Sequence, residues 1–465
     1  MFGYTFRALT GRSALRRRLA KHFRGTPVQQ IVTAARTFPT ASRVDIQSAL
    51  NDFFAGKSGY QLLGIHSIMG HEITGLAQLL SPSPIPTEIG PLQHDEIDIG
   101  EAEPVRCLKN GLWLATEGNM PYAVLMGPSI QRGCPAGVLV EIAIPAGETG
   151  SEFSQVFFRQ VEIGVSAGRA YRGRVISLEQ EQHFAGFGGT VKVHRLHKVA
   201  KDQVILPQKT LALLERNIHK FVSIRDRIKE RDFSAKKGLL FYGPPGTGKT
   251  HTIHYLASEL PGHTTLLVTA EQVAWIGEYF RLARFLQPSI MIIEDVDLIA
   301  RSRDHIGTPF QEALLNKLLN EMDGLREDAE VIFILTTNRP DNLESALTAR
   351  PGRIDQAIEF PLPDEDGRAK LIRLYSRGLE IDGDVISATV SKTKGTSAAF
   401  IKELMRRSAQ FHFEAAGDGR LRSSSVDSAL EEMVFTGGAL NLKLLGGTGA
   451  ELAGTRGSFI VSKPA

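Results

Sequence analysis

The run Gly243-Pro-Pro-Gly-Thr-Gly-Lys-Thr250 limits what this chain can fold into more than any other feature. It matches G-x-x-x-x-G-K-[ST], directly follows the apolar run Leu239-Leu-Phe-Tyr242 and leads into a stretch of helical character. A glycine-rich turn between a strand and a helix lets successive backbone N–H groups point inward, and the helix adds the positive end of its dipole. Both favour a bound polyphosphate. On this reading Gly243, Pro244, Pro245, Gly246, Thr247 and Gly248 form the cradle, with His251 flanking it in the first helical turn. Lys249 reaches the β- and γ-phosphates, and the Thr250 hydroxyl ligates Mg²⁺.

A phosphate loop of this kind works with carboxylates, and Ile290-Met-Ile-Ile-Glu-Asp-Val-Asp297 supplies them at the end of an apolar strand. One acid beside the loop can hold the metal's water shell while the next polarises an attacking water. The same half of the chain carries two further strand-like runs, Thr265-Leu-Leu-Val-Thr269 and Val331-Ile-Phe-Ile-Leu335, with room for a helix before each. This alternation predicts a parallel sheet, and uniformly apolar strands are expected where helices cover both faces. After Pro363 the strands stop, and helical stretches follow near 365–378 and 397–416.

Taken together, residues from about 200 to 436 resemble the AAA ATPases, the ATPases associated with diverse cellular activities. The resemblance rests on GPPGTGKT at 243–250, PSIMIIEDVD at 288–297 and TTNRPDNLESALTARPGRID at 336–355, in that order. It implies an α/β fold class: a P-loop NTPase parallel sheet with a helical lid, here preceded by an α+β N-terminal domain. It implies ATP and Mg²⁺ as ligands and Asn338 as the sensor that orients the water or the γ-phosphate. It also implies Arg350 and Arg353 as fingers that reach a neighbouring subunit's nucleotide. A guanidinium at that site neutralises transition-state charge and has to arrive in trans, so a homo-oligomeric ring, a hexamer in this family, is expected.

One departure from the family is visible. Its acidic strand usually ends Asp-Glu; here the order is Glu294-Asp295, as in the mitochondrial inner-membrane AAA chaperones and some bacterial AAA proteins. By position Glu294 takes the metal role and Asp295 the role of base, one methylene shorter; Asp297 is a weaker candidate for either. Ala274-Trp-Ile-Gly277 resembles the element with which the family lines a central pore. Trp275 and Ile276 would then grip a threaded polypeptide by contact area; core packing of a helix over 271–286 is the competing reading. Gly395-Thr-Ser-Ala-Ala399 stands at the second sensor but offers no arginine, and Val204-Ile-Leu-Pro207 is placed to meet the base.

The N-terminal half reads differently. Residues 1–44 hold nine Lys or Arg and no acid. Leu15, Leu19 and Phe23 recur every fourth residue, with Arg16, Arg17, Arg18, Lys21 and Arg24 mostly on the other faces, which predicts a short basic amphipathic helix. A solvated frayed terminus, a membrane-surface or nucleic-acid contact and an organelle transit peptide all share that pattern. Three- and four-residue steps through Val28, Ile31, Val44, Ile46 and Leu50 predict helix over 27–80. The prolines of 81–86 read as a linker, and short apolar runs between glycines and prolines then predict a small α+β domain. His71-Glu72 could open a zinc-protease motif, but Gly75 stands where the second histidine belongs. Cys107 and Cys134 fit two ordinary thiols in a reducing compartment, with one buried disulfide between them as the alternative. The two tryptophans, Trp113 and Trp275, make no aromatic platform for nucleic acid, which is disfavoured without being ruled out.

The expected organisation is a basic arm (1–26), a helical segment (27–80), an α+β recognition domain (81–199), a large α/β ATPase subdomain (200–363), a small helical lid (364–436) and a Gly-rich flexible tail (437–465). The expected function is Mg²⁺-dependent ATP hydrolysis in a ring, coupled to remodelling, unfolding or disassembly of a protein substrate. No uncharged apolar run of about 18 residues appears, so a spanning helix is not expected. No apolar core follows the N-terminal charges as in a secretory signal, so the expected location is cytoplasmic, with organelle targeting by the basic N-terminus as the alternative. A nucleic-acid remodeller and an ATP-binding switch with little turnover are the alternatives.

Overall fold

A computed structural model describes residues 14–57, 59–67, 75–81, 87–131, 134–179, 190–297, 317–341, 353–415 and 418–433. The chain divides into two compact units, Met1–Arg195 with Glu278–Leu286 and Leu196–Gly277 with Gln287–Ala465.

Alternation of side chains along extended strands organises the first unit. Its antiparallel sheet runs in the order β1 (Ile31–Phe38), β8 (Cys134–Pro145), β7 (Met120–Gln131), β6 (Gly111–Glu117), β2 (Gln61–Ser67) and β3 (Thr87–Gly90). Trp113, Ala115, Val124, Met126, Val140 and Ile142 point to one face. There they meet α2 (Arg43–Ala55) and α4 (Glu148–Ala167) through Ile46, Leu50, Phe54, Phe157 and Val161. Their neighbours Leu112, Leu114, Ala123 and Leu125 point to the other face, covered by α1 (Ala14–His22) and α3 (Leu76–Leu80). A period of two therefore feeds two cores from the same strands. The first core is tightened by stacking of Phe54 on Trp113 at 5.7 Å between ring centres. Two antiparallel pairs complete the unit, β4 (His94–Ile97) with β5 (Val105–Leu108) and β9 (Val175–Glu179) with β10 (Thr190–Val193).

Two expectations change here. The helical reading of 27–80 holds for Arg43–Ala55 and Leu76–Leu80, but Ile31–Phe38 and Gln61–Ser67 are strands. Their apolar residues satisfy helical spacing by coincidence, and pairing with β8 and β6 decides the matter. The basic arm is helical over Ala14–His22, yet Leu15, Leu19 and Phe23 are buried against Leu63, Ile65 and Leu112. This part of the arm is neither frayed nor left with an apolar face for a membrane, and the boundary at residue 26 disappears. Arg17, Lys21 and Arg24 remain exposed, as does Arg18, which donates to Gln61 Oε1 at 2.5 Å. Cys107 is a buried free thiol whose pKa burial pushes up; the Cys134 side chain lies outside the described residues.

The second unit follows the α/β alternation. Five parallel strands lie side by side in the order β12 (Thr264–Val268), β13 (Ser289–Ile293), β14 (Val331–Thr337), β11 (Lys237–Tyr242) and β15 (Gln356–Glu359). Every residue of β13 and β14 is buried, as strands covered on both faces require. Helices α5 (Gln208–Leu214) and α6 (Phe221–Lys229) are joined by a π-helical turn, Glu215–Lys220. Helix α7 (Lys249–Glu259) follows β11, and a 3₁₀ segment, Ala270–Trp275, follows β12; the next helix, α8 (Ile276–Phe285), belongs from Glu278 onward to the first unit. The lid is built of α9 (Glu365–Tyr375), α10 (Gly383–Lys392), α11 (Ala398–Glu414) and α12 (Ser423–Glu431), with β16 (Glu380–Ile381) and β17 (Arg420–Leu421) pairing in parallel. Its core is Leu371, Ile372, Phe400, Ile401, Leu404 and Val426. Asp364 caps α9 by accepting from Gly367 N at 2.8 Å, and Ser397 caps α11 by accepting from Phe400 N at 3.2 Å. The tail 437–465 lies outside the described residues.

Removing the buried side chain of Leu19 tests whether the arm belongs to the first core. Leu19→Ala is expected to cost that unit about 2–5 kcal/mol, read from urea unfolding followed by Trp113 fluorescence in a Trp275→Phe background. An unchanged midpoint would show an arm that merely rests on the sheet.

Candidate functional site

Strand order brings the site together. Because β14 lies between β11 and β13, the loop after β11, the polar end of β14 and the acids after β13 emerge at one edge of the sheet. Tyr242 pairs with Thr337, and Ile293 with Leu335, which sets these segments level. This carboxyl edge is where open α/β sheets hold ligands. A cleft of about 340 Å³ opens there. It is lined by the loop and the start of α7, by Asp295, Thr336 and Asn338, by 203–206, and by lid residues including Tyr375 and Lys402.

Two glycines make the loop possible. Gly243 has φ of +145°, and a Cβ there would collide with the carbonyl oxygen of Phe360. Gly246, at +76°, lies against Ser397 and Ala399 of the lid, and Ala399 N donates to its carbonyl oxygen at 3.0 Å. The second-sensor segment thus meets the phosphate loop through backbone and small side chains. Thr247 Oγ1 closes the turn on Pro244 O at 2.9 Å. Pro245, Gly248, Lys249, Thr250 and His251 all line the cleft.

Lys249 is buried, and its ammonium donates to Gly243 O at 2.8 Å and Pro244 O at 3.0 Å. Burial pushes its pKa down to about 8, with the carboxylates of Asp295 and Asp297 partly offsetting the effect. Burial likewise holds His251 below its ordinary value; its protonated Nε2 donates to Gln203 O at 3.2 Å. This bond ties the 203–206 segment, which includes Val204, to the first turn of α7.

The acids are held separately. Thr250 Oγ1 donates to Glu294 Oε1 at 2.9 Å, so the loop hydroxyl and the first acid are adjacent. Asn338 Nδ2 donates to Asp295 Oδ1 at 3.0 Å. Asp297 takes neither position: it is buried and accepts from Thr337 Oγ1 at 3.0 Å and Asn338 N at 3.2 Å. Its carboxylate anchors the end of β14, which removes it as an alternative metal or base residue. Thr336 and Thr337 were not singled out by sequence; their signal was two hydroxyls at the polar end of an otherwise apolar strand.

The remaining candidate residues divide. Arg350 lies outside the described residues. The Arg353 guanidinium is buried and bonded to both carboxylate oxygens of Asp323, through Nε at 3.0 Å and through Nη2. Ile276 is buried, so it has no surface with which to grip a chain, a correction to the pore-lining reading; Trp275, half-buried, keeps some. Lys402 and Tyr375 were missed, because lid residues reach the cleft only through packing of separate helices.

Residues 239–362 match the model of the ATPase family associated with various cellular activities. The chain is similar to 26S proteasome regulatory subunit 10B of Dictyostelium discoideum, 36% identical over 196 residues, or 40% of this chain and 50% of the relative. It is 39% identical over 189 residues to the proteasome-activating nucleotidase of Sulfurisphaera tokodaii, covering 38% and 48%. It is 34% identical over 229 residues to the ATP-dependent zinc metalloprotease FtsH of Thermus thermophilus, covering 47% and 36%. The chain spans about half the length, or less, of these relatives.

The lowered Lys249 pKa gives a pH test. A bound triphosphate favours the charged ammonium, so the complex holds more protons than the empty site and affinity falls as pH rises through about 8. The apparent Kd for ATP is expected to rise about tenfold between pH 7 and pH 9, measured by titration calorimetry. Lys249→Arg, which stays charged, should flatten that rise.

Proposed function

We propose, for a chain whose residues 239–362 match the AAA ATPase family model, that it hydrolyses ATP to ADP and phosphate in a ring of like subunits and uses the cycle to remodel a protein substrate. The observation that carries this reading is the bonded pair of pairs at the cleft, Thr250 with Glu294 and Asn338 with Asp295, beside the buried Lys249.

Thr250 and Glu294 offer two hard oxygen donors in hydrogen-bonding contact, a set that suits Mg²⁺, which takes one or two protein oxygens and keeps several waters. Among the described residues no group of three or more His, Cys, Asp or Glu builds a metal cage. A bound Mg²⁺ would neutralise charge on the phosphate oxygens. Loop N–H groups and the Lys249 ammonium bind the phosphates. Asp295 Oδ accepts a proton from the attacking water, and Asn338 Nδ2 holds that carboxylate in place. The finger in trans falls to Arg350. Arg353, committed to Asp323, anchors the chain just before it enters β15.

The names of the relatives, two tied to the proteasome and one a metalloprotease, support a protein as the substrate; the hexameric ring rests on the resemblance of residues 336–355 to the family. Trp275 is the side chain we assign to substrate contact, and residues 1–195, which precede the matched region, to choice of partner. No helix among the described residues is long and apolar enough to cross a membrane; a cytoplasmic location remains part of the proposal. The burial of Leu15, Leu19 and Phe23 weakens the case for a nucleic-acid or membrane arm, though the exposed arginines keep a salt-dependent contact testable.

Steady-state ATPase rate per subunit, measured against protein concentration, is the direct test. The rate should climb as the ring assembles. Asp295→Asn should lower it by a factor of about 10²–10⁴ while ATP binding persists. A flat, negligible rate with tight ATP binding would establish a switch instead. Arg350→Ala should impair hydrolysis only in the assembled form. Arg353→Ala should lower the melting temperature of the isolated subunit as well, because Asp323 loses its partner.

A further inference from the structure

We propose that Thr336 is a positioning residue that makes the Glu-Asp order of this chain workable. The inference rests on the hydrolytic reading of the site and extends it to a residue outside the phosphate loop, acids, sensor and fingers.

The geometry starts with the backbone. The sheet pattern runs on through Glu294, whose N–H donates to Val268 O at 3.0 Å. At Asp295 the chain turns out of the sheet with φ of +49°, a left-handed conformation that a residue with a Cβ adopts rarely and that Asp and Asn tolerate best. The turn takes the Asp295 N–H out of the ladder. Thr336 Oγ1 accepts it at 3.0 Å. Thr336 is buried and lines the cleft floor, so no bulk solvent competes for that bond.

The consequence is chemical. With the acids in this order, the shorter side chain stands in the base position and cannot reach as far as a glutamate. A left-handed turn at its own Cα changes the direction in which its carboxylate leaves the backbone. Thr336 holds that turn at the N–H while Asn338 holds the carboxylate at Oδ1, so Asp295 is fixed at both ends by β14 and the residue after it. Thr337, pointing to the opposite side of the strand, does the corresponding work for Asp297. Two successive hydroxyls therefore serve two acids that are two residues apart.

The test compares Thr336→Val, which keeps the β-branched shape and loses the acceptor, with Thr336→Ser, which keeps the acceptor. Thr336→Val should lower kcat about tenfold or more with the ATP Kd changed by less than about twofold, and Thr336→Ser should restore kcat to within about threefold. In the nucleotide-free protein, the amide of Asp295 should exchange about tenfold faster in Thr336→Val than in wild type. Equal kcat and equal exchange in Thr336→Val would overturn the proposal, as would a Thr336→Ser protein as slow as Thr336→Val. The exchange arm needs no turnover, so a wild-type protein without ATPase activity would sink the functional reading and leave the Thr336–Asp295 contact separately decided.

Discussion

The position of β14 between β11 and β13 is the constraint on which the site depends. A parallel sheet delivers the ends of neighbouring strands at one edge, and here three neighbours carry three kinds of group. β11 leads into the glycine loop, β13 into two acids, and β14 ends in two threonines and an asparagine. Were β13 paired directly with β11, the acids would lie beside the loop with no polar strand end between to hold them. The energy for this arrangement comes from burial of the apolar strands, one face of which packs against Leu214, Ile218, Ile253 and Leu256. The polar residues at its edge contribute aim, not cohesion.

Within that edge, each charged group has an assigned counterpart. Lys249 rests on loop carbonyls, Glu294 on Thr250, Asp295 on Asn338 and Thr336, and Asp297 on Thr337. Buried carboxylates without such bonds would be costly. Burial leaves Lys249 depressed in pKa, with Asp295 and Asp297 partly offsetting it, so an arriving phosphate stabilises an ammonium that the empty site holds at a cost.

The N-terminal unit achieves its stability by a different device. One antiparallel sheet covers both its faces with helices, so its strands carry apolar residues at odd and even positions alike. That doubling obscured the strands from a reading by periodicity. Ile31–Phe38 and Gln61–Ser67 looked helical because short apolar runs carry no unique period, and only their partners in the sheet settle them.

What the sequence determined by itself was local chemistry. Eight consecutive residues, 243–250, specify a phosphate loop because the required backbone turns and the lysine all lie within one strand-to-helix junction. The apolar runs of 239–242, 265–269, 290–293 and 331–335 were legible as strands for the same reason: each is a contiguous stretch whose burial follows from its own composition. Only the tertiary structure decided which polar groups meet. It paired Asp295 with residues 336 and 338, Arg353 with Asp323, and Gly246 with the lid, and it buried Ile276 and the apolar face of the arm. These contacts join residues that are 30 to 150 or so positions apart in places, and a hydrogen bond over such a separation leaves no local pattern in the chain. Its partners are chosen by strand order and helix docking, which depend on the packing of the whole unit.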